Sequence, residues 1–131
     1  GIGENQIEWY KWAVNGINQT SGREVPNMAF MHVPVPEYKQ LTDNFEMGLR
    51  MEDSCTAAVN DGFFDAFKNN GGTHMFAGHD HLNNFITEYD GVKMCYYTKS
   101  SYNCNFTFKE LGGLLITLDQ NNNVNLEIKE F

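Results

Sequence analysis

Cationic side chains are scarce in this chain: nine Lys and Arg stand against 17 Asp and Glu, a formal net charge of -8, and nowhere do they cluster. Such a chain repels phosphate backbones, which argues against a nucleic-acid-binding module. Phosphate is a plausible ligand here only if a bound cation offsets that repulsion. Apolar runs are short, and none approaches the ~20 residues of a membrane span. Cysteine is sparse too. Cys55, Cys95 and Cys104 leave at least one thiol unpaired, and their spacing fits neither a zinc knuckle nor a redox pair. The simplest reading of each is a small buried apolar side chain; a Cys95–Cys104 bridge is the alternative. A basic-then-apolar leader is also lacking. The first residue is Gly1 rather than Met, so we expect the chain to begin inside a longer protein or after a processed end. Two glycosylation sequons, at Asn18 and Asn105, are about what chance supplies and leave the compartment open.

The remaining composition, 41% hydrophobic and 20% charged over 131 residues, is that of one globular domain, residues 1–131. Its centre is the stretch Thr73-His74-Met75-Phe76-Ala77-Gly78-His79-Asp80-His81. An apolar run reads as a buried strand, a glycine turns the backbone, and two imidazoles follow at i and i+2. Ligands at the end of a stiff element suit a metal site, although His-x-His alone is too short to be specific.

Residues 4–19 predict a helix, with Ile7, Tyr10, Val14 and Ile17 on one stripe. Trp9 and Ala13 widen that stripe, and Ser21-Gly22 ends it. Met28-Ala29-Phe30-Met31 then reads as a strand buried on both faces. Val33-Pro34-Val35-Pro36 cannot extend it, because proline lacks the donor. His32 therefore has the same setting as His79: an apolar run, a histidine, then irregular chain. Ligands of open α/β sheets gather beyond the carboxyl ends of strands, so two strands that each deliver histidine there form a constellation.

Residues 37–56 read as a long loop, with a helical turn expected around residues 45–51. Glu37, Glu46, Glu52 and Asp53 within it are expected to be solvated. Val59, Phe63 and Phe67 predict a second amphipathic helix over residues 59–69, capped by Asn60 or Asp61 and stopped by Asn70-Gly71-Gly72. Residues 84–89 and 92–97 flank Asp90-Gly91, a strong hairpin signal. Residues 114–118 and 124–128 form a second hairpin, after a polar loop over residues 99–107. The fold class is α/β, bordering on α+β: a mixed sheet with helices on one side and two C-terminal β-hairpins.

Taken together, the residues resemble the calcineurin-like metallophosphoesterases, in their purple-acid-phosphatase-like branch. The stretches that carry the resemblance are Phe30-Met31-His32-Val33-Pro34-Val35-Pro36-Glu37-Tyr38, Val59-Asn60-Asp61-Gly62-Phe63-Phe64 and Gly78-His79-Asp80-His81, followed by Asn83, Phe85, Asp90-Gly91 and Cys95-Tyr96-Tyr97. The resemblance implies a β-sandwich flanked by helices and two metal ions (Fe, Zn or Mn) at strand ends. It implies hydrolysis of a phosphate-ester substrate by a metal-bridging hydroxide. It also implies that His32 and His79 bind one ion and His81 the other, with Asp80 turned away from the metal and His74 an ordinary strand residue.

The chain departs from that family in one large respect. The family's early Asp-x-His, its Gly-Asp-x-x-Asp and its Gly-Asn-His-Asp/Glu do not occur here. The resemblance is thus to the C-terminal half of such a domain, with the N-terminal half missing. The implied expectations are a metal-dependent hydrolase as the intact protein, no appreciable phosphatase activity in these residues alone, and self-association of a half-fold through its exposed sheet. A smaller departure follows Tyr97, where relatives are glycine-rich and this chain has Thr98-Lys99-Ser100-Ser101-Tyr102. A non-catalytic interaction module that retains the fold is the competing reading. A cupin-like His-x-His site fails on spacing, because the nearest downstream glutamate, Glu88, lies too far from His81.

Overall fold

A computed structural model describes residues 1–101 and 111–131. A first helix, α1 (Glu4–Ser21), precedes strand β1 (Asn27–Met31) and a short 3-10 helix (Pro36–Gln40). Then come α2 (Phe63–Lys68), β2 (Gly72–Ala77), β3 (Ile86–Tyr89), β4 (Val92–Tyr96), β5 (Gly112–Leu118) and β6 (Val124–Glu130). The first four strands make a mixed sheet in the order β1-β2-β4-β3, and β5 and β6 pair antiparallel as a separate sheet. The α/β class and both hairpins agree with the sequence reading. Asp90 (φ 47°) and Gly91 (φ 80°) supply the double left-handed turn between β3 and β4.

The register of the sheet positions the site. Strands β1, β2 and β4 run parallel, with Met31 opposite Ala77 and Ala77 opposite Tyr96. Three carboxyl ends therefore stop in line, and His32, Gly78 and Tyr97 emerge side by side. Alternation sends Ala29, Met31, Met75, Ala77, Met94 and Tyr96 to the face that packs on α2 and α1, through Phe63, Phe64, Phe67 and Ile7. Met28, Phe76 and Cys95 point to the other face, toward Leu114, Ile116 and Leu126 of the second sheet. Phe67, Met75 and Met94 are fully buried, and each such side chain contributes roughly 1.5–3 kcal/mol. Gly72 is required where it stands, since a Cβ there would lie 2.4 Å from the Phe67 ring.

Several expectations are corrected. Strand β1 is not buried on both faces: it ends the sheet, and Phe30 is 59% exposed. A run of apolar residues cannot by itself distinguish a central strand from an edge strand. Trp9 does not widen the buried stripe of α1, and at 65% exposure it stands outside the core, as do Trp12 and Ile17. Helix α2 starts at Phe63 rather than Val59, because Gly62 is left-handed (φ 79°) and Asn60 turns its Oδ1 to the Gly62 N–H at 2.9 Å. The stretch around residues 45–51 is irregular rather than helical, with bends at Glu46 and at left-handed Gly48 (φ 83°). Met47 bridges antiparallel to Ile86 at the β3 edge, with Ile86 N–H donating to the Met47 carbonyl at 2.9 Å. Glu37 is buried rather than solvated, and Glu52 is partly buried. Buried Glu37 accepts from Asn60 Nδ2 at 2.7 Å, and Glu52 accepts from Leu82 N–H at 2.6 Å. Cys95 is a buried free thiol, while Cys55 is exposed rather than buried. Cys104, the other half of the candidate bridge, lies outside the described residues.

Candidate metal centre

The site begins where β2 ends. Gly78 N–H donates to the His32 carbonyl at 3.1 Å, which ties the two strand exits together. A Cβ at Gly78 would sit 3.5 Å from His32 Nδ1 and 3.6 Å from Tyr97 Cδ2, so the residue is flanked by both side chains. Immediately after it the chain reverses. Asp80 N–H donates to the Gly78 carbonyl at 2.9 Å, and His79 between them has φ 72°. That is a γ-turn in its strained, positive-φ form, uncommon for a side-chain-bearing residue. Strain of this kind is held in place by surrounding structure and gathers at functional sites.

Asp80 provides that surrounding structure. It is buried, and its Oδ1 lies 2.9 Å from His79 Nδ1. Its Oδ2 accepts from the Tyr96 hydroxyl at 2.5 Å and from Cys55 N–H at 3.0 Å. A carboxylate only accepts, so Nδ1 is the donor in this contact and the Nε2 edge of the ring is turned away from Asp80. Carboxylate–imidazole pairs of this kind fix the tautomer and orientation of metal-binding histidines. Burial, and then the hydrogen bond to Asp80, push the Tyr96 phenol far above its ordinary range, so it remains a donor.

The loop holding Cys55 is stapled to the His79 loop. Asn83 Oδ1 accepts from Met51 and Glu52 N–H at 2.9 and 3.2 Å, and its Nδ2 donates to the Glu52 carbonyl at 3.1 Å. His32 and His79 come together from separate strands, with ring centroids 5.4 Å apart. His81 stands in a different setting. It lines a cavity of about 200 Å³ together with Thr98, Lys99, Asn84 and Met51. Among the described residues, the ligand atoms that approach within 4.8 Å of one another belong to Cys55, His79 and Asp80; the three histidines do not form such a group. His74 stacks over Phe76 within the sheet, ring centroids 6.1 Å apart, away from the strand ends.

Among the described residues, Cys55, His79 and Asp80 are the group that could hold a metal ion; imidazole and thiol donors suit Zn, Fe and similar ions. Sequence reading found the histidines but neither Asp80's holding role nor the neighbourhood of Cys55. Adjacency in His79-Asp80-His81 was the only signal for the first, and nothing in the spacing signalled the second.

Two parallel strand ends each deliver a histidine, and one of the two, His79, is held by a carboxylate. Comparison narrows this further. The Arabidopsis thaliana protein named "probable inactive purple acid phosphatase 14" is 35% identical over 107 residues, covering 75% of this chain and 27% of its own length. "Probable inactive purple acid phosphatase 29" of the same plant is 37% identical over 73 residues, 54% of this chain and 19% of its own length. "Probable inactive purple acid phosphatase 28" is 31% identical over 97 residues, 72% of this chain and 24% of its own length. No family model matches the chain, and no solved structure matches it. The chain belongs to the purple-acid-phosphatase-like branch, and it spans about a quarter or less of the length of these curated relatives.

Proposed function

We propose that this chain is the histidine-bearing part of a metal-dependent phosphoesterase domain that hydrolyses phosphate esters. The observation that carries the reading is the meeting of His32 and His79, 5.4 Å apart between ring centroids, at the aligned ends of two parallel strands. His32 and His79 would hold one ion and His81 the other. Ions bound there would supply the positive charge that a chain of net charge -8 lacks for a phosphate ester. The chain's own contribution is orientation: Asp80 holds the His79 ring, Tyr96 holds Asp80, and Gly78 lets His32 and Tyr97 close around the turn. The other ligands of a two-ion centre would come from a part of the domain outside these residues.

Metal content and aryl-phosphate hydrolysis, measured on the longer natural protein with and without His79→Ala and His81→Ala, test this. Loss of both properties supports the assignment, and full hydrolysis by either variant rejects it for that residue. A second reading, a module that keeps the fold without turnover, is favoured by the word "inactive" in the names of all three relatives. Under it the wild-type longer protein binds metal without hydrolysing the ester.

A further inference from the structure

We infer that Cys55 is a sulfur ligand at the His79 site, which makes the site selective for thiophilic ions. The inference rests on His79 being a metal ligand, as proposed above. The sulfur of Cys55 and a nitrogen of His79 lie within 4.8 Å of one another, in a group with Asp80. Asp80 is not the third ligand. It is buried, its Oδ1 faces His79 Nδ1, and its Oδ2 accepts both Tyr96 O–H and Cys55 N–H. One carboxylate therefore places both donors, the imidazole through its side chain and the thiol through its backbone. The His32 ring lies 5.4 Å from that of His79, outside the group whose ligand atoms approach within 4.8 Å.

Cys55 also differs from the other described cysteine in a way that suits this role. Cys95 is buried in the sheet, whereas Cys55 is exposed and reachable by an ion from solvent. Its loop does not need to be ordered by the metal, since Asn83 and Glu52 already pin it to the His79 loop. Coordination replaces the S–H bond with an S–metal bond and releases the proton to solvent. A thiolate favours zinc, and cobalt as its spectroscopic substitute, over manganese or magnesium, which prefer oxygen. The ion at the His79 position would then differ in kind from an oxygen-bound partner ion.

The test is a cobalt(II) titration of the full 131-residue chain, followed by absorption, with far-ultraviolet circular dichroism to confirm that each variant folds. The expected result is a thiolate-to-cobalt charge-transfer band in the near ultraviolet, together with protection of Cys55 from iodoacetamide located by mass spectrometry. Cys55→Ser, a conservative change at an exposed site, should abolish the band and weaken binding by about tenfold or more. Cys95→Ser, at the buried thiol in the sheet, should leave the band unchanged. Absence of the band, or its persistence in Cys55→Ser, overturns the inference. Should the band vanish in Cys55→Ser while hydrolysis by the longer protein is unaffected by His79→Ala, the sulfur ligand stands and the phosphoesterase assignment of His79 falls.

Discussion

Asp80 Oδ1 and His79 Nδ1 lie 2.9 Å apart although the two residues are neighbours in the chain. The contact exists because His79 occupies a positive-φ turn that folds the carboxylate back over its own imidazole. Removing the charge while keeping the shape isolates its role. Asp80→Asn should fold and should lower zinc or cobalt affinity by about 10- to 100-fold, measured by competition titration. Unchanged affinity would show that the ring is oriented by something else.

The turn itself predicts an inversion of the usual side-chain order. With His79 at φ 72°, an alanine would retain a left-handed strain of about 1–2 kcal/mol that glycine escapes. His79→Gly should therefore be more stable than His79→Ala by about 1 kcal/mol in urea unfolding. Both should lose the metal. Equal midpoints for the two variants would argue that the turn relaxes when the imidazole is removed.

Tyr96→Phe leaves one oxygen of the buried Asp80 short of its strongest donor. The expected loss is about 1–3 kcal/mol of stability, read from denaturant midpoints at unchanged slope. A neutral outcome would mean that Cys55 N–H satisfies Asp80 Oδ2 without help.

The two described thiols should differ sharply in alkylation. Burial pushes the Cys95 thiol up to about 12, and thiolate is the reactive form. Cys55, exposed, should be modified by iodoacetamide in the native chain, whereas Cys95 should react only after unfolding. Peptide mapping after a short pulse checks this, and rapid native labelling of Cys95 would contradict its placement in the sheet.

His74 gives a pH dependence with a definite sign. Its burial first, and Lys93 second, hold its imidazole below the ordinary value of 6.5, with Glu46 opposing them. As pH falls below that value the unfolded chain takes up its proton first, so stability drops through this window. Replacement by Phe keeps the stacking over Phe76 and removes the titration. The stability of His74→Phe relative to the parent chain should therefore increase from about pH 8 to about pH 5, and a difference flat across that range would refute the assignment.

The apolar pattern, read at periods of two and three and a half residues, determined the elements and their class. It placed α1, β1, β2, both hairpins and the pairing of His32 with His79 at strand exits, because burial of apolar side chains leaves its period in the order of residues. Local chemistry determined the turns, where Asp90-Gly91 and Gly71 carry the positive φ values that their positions require. Tertiary structure alone decided which strand became an edge. Phe30 is exposed because β1 has a partner on one side only, and no pattern within five residues records how many neighbours a strand will have. It likewise decided that Cys55, Asp80 and Tyr96, far apart in sequence, share one set of hydrogen bonds. Those contacts depend on the parallel register of β1, β2 and β4 and on a loop pinned by Asn83, and such long-range closure is a property of the folded chain rather than of any one stretch of it.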